Sequence, residues 1–206
     1  MTNPLEVYAD IWCPFAHVGL RAARAARDEL MAHPEPILIH AWPLELVNGV
    51  RMDAARTAEH VRELREQVAP TLFAGFDEAS FPSTTLPALA LAARAYRVGS
   101  SVGEAVSFAL RDALFERGED IGDPVVLGAL AQDFAVAFET PADLDAVYEE
   151  WRSGQARGVK GSPHFFCANV DAFCPALDIE RDSSGHLSLR MRSSELETFL
   201  KDCLDS

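Results

Sequence analysis

A chain of 206 residues, 49% hydrophobic and 24% charged, holds enough apolar side chain for one well-formed core or for a small domain with a sizeable insertion. Its net charge of −14 excludes nucleic acid, because nothing would neutralise a run of phosphates, and it disfavours anionic membrane surfaces. No run approaches the ~18–20 apolar residues of a membrane span, and residues 1–10 carry neither a basic region nor an apolar signal core, so the expected location is cytoplasmic.

Leu5 to Ile11 reads as a short strand, broken at Cys13-Pro14. A helix is predicted from Pro14 to about Met31, with Phe15, Val18, Ala22, Ala26 and Leu30 on its apolar face and Arg21, Arg24 and Arg27 away from it. Pro14 suits the first helical position, which places Cys13 at the cap. Ile37 to Trp42 is the continuous apolar run of a buried strand, completing a βαβ unit. From about Val50 to Gly158 the pattern is helical, with starts predicted at Ser101 (boxed by Glu104), at Asp123-Pro124, and at Thr140-Pro141 with Asp143. Leu144, Val147, Tyr148 and Trp151 make one face of the last of these helices.

Strand character returns at His164 to Ala168, with Ala172 to Cys174 pairing back across a turn at Val170-Asp171. Leu177 to Ile179 and Leu187 to Leu189 alternate around the turn signal at residues 182–185. A closing helix is predicted from Ser194, boxed by Glu197, burying Leu196, Phe199, Leu200 and Cys203. Neither the βαβ half nor the hairpin half can bury its strands alone, so the two must share one sheet.

The chemistry concentrates in two segments. In residues 10–17, Cys13 meets unpaired amides and the positive end of a helix dipole, both of which favour thiolate, with a pKa of ~3.5–7.5 against ~8.5 unperturbed. In residues 158–166, Pro163 lies between a loop and an apolar strand, marking a strand's first residue or a cis turn, and Gly158 and Gly161 permit a tight approach to it.

Together, these segments resemble the cytosolic DsbA-like branch of the thioredoxin superfamily, near the bacterial dithiol-isomerase-type proteins. The chain is more distantly similar to kappa-class glutathione transferases and 2-hydroxychromene-2-carboxylate isomerases. The likeness spans nearly the whole chain: Asp10-x-x-Cys13-Pro14, Trp42 to Glu45, the helical insertion with Phe115 to Asp123, and Gly158-Val-x-Gly-x-Pro163-x-Phe165. It implies one α/β domain over residues 1–206, with thioredoxin-like parts at 1–49 and 158–206 and a helical insertion at 50–157. It makes Cys13 the nucleophile and Pro163 a cis-proline packed against it, with Ser162 offering backbone groups to a bound peptide or thiol. The redox members have cysteine where this chain has Ala16, and the isomerase and kappa-class relatives have serine in place of Cys13. Without a second thiol at Ala16, a mixed disulfide on Cys13 must be resolved from outside.

The substrate-binding candidates are Trp12, Pro14, Phe15, His17, Ser162 and Pro163. Trp12 and Phe15 form an apolar lip or pack into the core. His17, one turn from Cys13, supports the thiolate as imidazolium or fills space where relatives put an aromatic. Cys167 and Cys174 fall opposite each other if the turn is Val170-Asp171; free buried thiols, a disulfide, and a metal site with His164 are the readings, and Cys203 is assigned to the core. No zinc-type Cys/His spacing appears, so no metal is expected. The leading functional expectation is a thiol-disulfide oxidoreductase acting through Cys13, with no bound cofactor and a low-molecular-weight thiol (glutathione, mycothiol or bacillithiol) as co-substrate. The rivals are a kappa-like transferase or isomerase and a non-catalytic thioredoxin-fold binding module. The apolar helical insertion is compatible with a homodimer.

Overall fold

Strand β1 (Glu6–Ala9) forms where apolar residues crowd together, and Val7, Tyr8 and Ala9 are all buried. In the computed structural model, which describes residues 4–183 and 185–204, β1 is interior to a four-stranded sheet of order β2-β1-β3-β4. The other strands are β2 (Leu38–Ala41), β3 (His164–Cys167) and β4 (Val170–Phe173). Helix α1 (Pro14–Leu30) is the crossover that lets β1 and β2 run parallel. β1 is antiparallel to β3, with Val7 opposite Phe165, so strands from the two ends of the chain share the sheet.

The burial of α1 differs from the face expected of it. Ala16, Leu20, Ala23 and Arg27 are buried, while Leu30 is exposed. The helix is covered on two sides, by α3 (Ala54–Gln67) and by α8 (Ser193–Leu204), so a single amphipathic stripe does not describe it. Arg27 tolerates burial because its guanidinium pairs with Asp28 and with Glu104, 2.8 Å away, and donates to the Glu35 carbonyl.

Between β2 and β3 lie α2 (Leu44–Asn48), α3, α4 (Leu86–Val98), α5 (Ser100–Arg117), α6 (Pro124–Asp133) and α7 (Thr140–Arg157). One apolar cluster joins Ile11, Trp12 and Val18 to Leu64, Leu91, Leu110 and Phe115, so this helical layer closes directly over the start of α1. Asp123 caps α6, accepting from the Val125 amide at 2.8 Å. Two other expected starts move. Helix α5 begins at Ser100 behind Gly99, leaving Ser101 inside it and Glu104 free to bind Arg27. Helix α8 begins at Ser193, so Ser194 lies inside it, and Glu197 pairs with Lys201. Helix α7 begins at Thr140 with Glu139 before it.

Strands β5 (Leu177–Arg181) and β6 (Leu187–Met191) pair with each other in a separate two-stranded sheet. Part of their turn, Ser184, lies outside the described residues. Helix α3 covers the outer edge of β6: Gln67 donates to the Leu187 carbonyl and accepts from the Leu189 amide, both at 2.9 Å, and Glu63 accepts from the Leu187 amide. An edge that would otherwise be open to strand addition is thus closed by side chains.

The cysteines need correction. The β3–β4 turn falls at residues 168–169, two residues earlier than expected, and Cys167 pairs with Val170 in register. Cys174 drops beyond the end of β4, with φ 48°, and stays a free buried thiol. Cys167 instead forms a disulfide with Cys203, across a Cα–Cα distance of 5.5 Å. The reason is tertiary: Phe165, Leu196, Phe199 and Leu200 pack α8 against β3 in one cluster and bring Cys203 with them. Among the described residues, no group of three or more His, Cys, Asp or Glu is placed to hold a metal, and no helix is long and apolar enough to cross a membrane.

Candidate functional site

Pro14 opens α1 at a position where its missing N–H leaves nothing unpaired, and Cys13 precedes it as N-cap in extended backbone, φ −80° and ψ 111°. Across the sheet, the loop after α7 returns to the same point. Gly158 (φ 75°) ends α7 in the left-handed region, and a Cβ on Gly161 would lie 2.7 Å from the Phe173 ring. His164 holds the loop from within the sheet: its Nδ1 accepts from the Lys160 amide at 3.1 Å and its Nε2 donates to Asp171 at 2.9 Å.

The Ser162–Pro163 peptide is cis. The Cys13 thiol donates to the Ser162 carbonyl at 3.2 Å, the Ser162 hydroxyl accepts from the Asp10 amide at 2.9 Å, and the Pro163 carbonyl accepts from the Cys174 amide at 3.0 Å. Pro163 itself lies against the first turns of α1, where a Cβ on Gly19 would meet its Cγ at 3.4 Å. The two motifs, far apart in sequence, therefore meet at Cys13.

Cys13 is only 4% exposed. Burial pushes its thiol up, against the opposing pull of Ser162 and of the Ala16 and Phe15 amides, and the nearby Asp10 carboxylate adds to the rise. This reverses the expectation of a low pKa. At rest, Cys13 is a protonated thiol. The helix start still offers its amides to a thiolate once the proton leaves. Cys174 is pushed up to about 12 by burial and by the neighbouring Cys13.

Behind Cys13 sits Asp10, fully buried. Its carboxylate accepts from the Ile11 amide at 2.7 Å, from the Thr85 hydroxyl at 2.8 Å and from the Leu44 amide. One side chain thereby ties the β1–α1 turn to α2 and α4. Burial raises its pKa to about 6, partly offset by those three donors and by Arg111. Arg111 is also fully buried; it donates to the Asp10 carbonyl at 3.3 Å and to Ser107. Burial lowers it to about 10, so it stays charged at neutral pH. The sequence showed Asp10 only as part of a motif; nothing in its local pattern pointed to Arg111.

A groove of about 430 Å³ opens over Cys13. Pro14, Phe15 and Ser162 line it beside the sulfur, and the Phe15 ring stands 5.2 Å from that of His60. The far wall is the segment from α2 to the start of α3, including Asn48, Arg51, Met52 and Arg56. No sequence pattern singled out this wall, because it approaches Cys13 only after the helical layer folds over.

Three of the expected binding residues, Trp12, His17 and Pro163, do not line the groove. Trp12 is fully buried, stacked on Phe81 at 5.7 Å within the helical layer's core. His17 is fully buried between Phe73 and Phe115, with its Nε2 2.8 Å from Glu116. Desolvation lowers the His17 pKa, so the ring is neutral and serves packing rather than the thiolate. Glu116 is held at about 2 despite partial burial, because His17 and the Phe73 and Ala74 amides all donate to it. Pro163 is buried against α1.

Comparison with known proteins agrees with this geometry. The chain is similar over 98% of its length to all of the cytosolic disulfide reductase DsbM from Pseudomonas aeruginosa, solved with GSH, at 15% identity and a TM-score of 0.65. A Nitrosomonas europaea protein proposed as a protein disulfide isomerase matches the whole chain over 98% of its own, at 14% identity and a TM-score of 0.67. A 2-hydroxychromene-2-carboxylate isomerase matches 82% of the chain over 87% of its own, at 14% identity and a TM-score of 0.56. No curated protein matches in sequence. The fold is thus thioredoxin-like with inserted helices, and the model of the DSBA-like thioredoxin domain family matches residues 4–181: the chain belongs to that family.

Proposed function

We propose that the protein is a thiol-disulfide oxidoreductase that works through the single sulfur of Cys13, with a low-molecular-weight thiol as co-substrate. The observation that carries this reading is the placement of Cys13: at the start of α1, in the floor of a groove and bonded to Ser162, with Ala16 where a second thiol would stand. The similarity to a disulfide reductase solved with GSH supports the same reading.

The reaction follows from the chemistry of exchange. After losing its proton, Cys13 attacks a disulfide RS–SR′, forming Cys13–S–S–R and releasing R′S⁻, which takes up a proton. A small thiolate then attacks the R sulfur, forming a new disulfide with R and returning Cys13. The small thiol supplies the electrons that reduce R′, and no second protein thiol takes part. Ser162 and the amides at the start of α1 orient the sulfur, and the groove admits the small thiol. The proposed setting is cytoplasmic, where such thiols are abundant.

The test is intact mass after incubation with glutathione disulfide. One added thiol fragment on the wild-type protein, mapped to Cys13 and absent in Cys13→Ser, supports the reading; no adduct overturns it.

A second reading has its own observation. Burial keeps Cys13 protonated, and the thiol acts as a hydrogen-bond donor to Ser162, a role that serine fills equally well. A kappa-like transferase or isomerase would use Cys13 in this way, to orient a bound thiol without bonding to it. Such an enzyme keeps its turnover in Cys13→Ser, whereas the exchange mechanism loses it.

A further inference from the structure

We infer that the small thiol serving Cys13 is one that carries carboxylates, and that Arg51 and Arg56 receive them. The inference rests on the proposed function and narrows its co-substrate.

The chain holds 32 acidic residues against 18 Lys and Arg, so its average field repels an anion. Several of its arginines are taken up by acidic partners: Arg21 by Asp112, Arg27 by Glu104, Arg157 by Glu6 and Arg190 by Asp178. Arg51 and Arg56 are different. Both line the groove over Cys13, and among the described residues neither guanidinium has a hydrogen-bond or ion-pair partner.

The remaining charge in the lining offsets only one of them. Asp53 keeps its charge while one carboxylate oxygen accepts from the Arg56 amide to cap α3, which leaves two guanidinium groups against one carboxylate. Desolvation lowers the pKa of His60, so it adds no positive charge at neutral pH. Two unpaired guanidinium groups beside a thiol suit a ligand with a sulfur and two carboxylates, since each fork can take a carboxylate in two parallel bonds. The apolar Phe15, Leu44 and Met52 leave room for its uncharged stem. A peptide or malate-bearing thiol, of the glutathione or bacillithiol type, has this character. A sugar-linked thiol without carboxylates, of the mycothiol type, would leave both cations unanswered.

Three small disulfides separate the possibilities by charge: glutathione disulfide (anionic), bis(2-hydroxyethyl) disulfide (neutral) and cystamine (cationic). The readout is the rate of adduct formation on Cys13 by intact mass, in the wild type and in the double variant Arg51→Gln/Arg56→Gln, with far-ultraviolet circular dichroism to check folding. The expected result is a drop of about tenfold in the ratio of anionic to neutral rates in the double variant, equal to about 1.4 kcal/mol. Added salt should narrow the gap between wild type and the double variant with glutathione disulfide while leaving the neutral disulfide alike in both, because screening of the whole chain's field is common to the two proteins. An unchanged ratio, or equal salt dependence in the two proteins, overturns the inference while leaving Cys13 as nucleophile. Absence of any adduct with all three disulfides overturns the proposed function itself.

Discussion

At the scale of single residues, the site turns on a conflict between local and tertiary electrostatics at Cys13. A helix start lowers a thiol's pKa, and that much is readable from Cys13-Pro14 in the sequence. Desolvation comes from elements distant in the chain, and here it wins. Cys13 alkylation should therefore keep accelerating as pH rises through 9, ahead of Cys174 at every pH. Mass-mapped labelling with iodoacetamide measures this, and a rate that levels off below pH 7 would show a stabilised thiolate instead. Asp10 offers a second residue-scale expectation. Its pKa is raised in the fold, to about 6, above the ordinary carboxylate value. The folded state thus binds the extra proton, and stability is gained as pH falls from about 6 toward 4. Asp10→Asn cannot make that gain, so urea unfolding at pH 7 and pH 4.5 should show wild type improving relative to the variant at the lower pH. His17 and Trp12 show the limit of reading roles from spacing: both flank the thiol in sequence, yet the helical layer claims their side chains.

At the scale of elements, β1, β2 and β3 were legible from their short apolar runs, and the span of α1 from the proline that opens it, although its buried face was not. The Asp123-Pro124 start was legible from its proline in the same way. Ser101 and Ser194 misled because a serine followed by glutamate is equally at home one residue inside a helix. The β3–β4 register was not legible either. Ala168 takes φ 50° at the turn, a conformation its side chain gives no sign of, and a shift of two residues separates Cys167 from Cys174. Helix α1 carries its own test. Ala16 is buried one turn beyond the Cys13 cap, where dithiol relatives hold their second sulfur. Ala16→Cys should form a 13–16 disulfide on oxidation, seen by peptide mapping and lost in Cys13→Ser. No link between residues 13 and 16 would mean that α1 does not present the two positions together.

At the scale of the whole molecule, the strongly acidic composition conceals a local exception at Arg51 and Arg56. It also conceals a charge cluster away from the groove, where His40 lies 2.9 Å from Glu6 and 3.6 Å from Glu150. Burial would lower the His40 pKa, yet the hydrogen bonds and charges of Glu150 and Glu6 outweigh it and raise the value to about 9. The stability this contributes is full below the ordinary histidine pKa, near 6.5, and is lost as pH rises toward 9. His40→Gln should therefore cost on the order of 1 kcal/mol at pH 6 and little at pH 9.5, read from denaturant midpoints at the two pH values. The central claim is that Cys13 works alone and is resolved from outside. Its most direct test is to load Cys13 with glutathione disulfide, remove all small thiols, and follow the adduct by intact mass with disulfide mapping. The account predicts an adduct that persists until reduced glutathione is added back and then clears; spontaneous clearance with a Cys13–Cys174 disulfide in its place would contradict it.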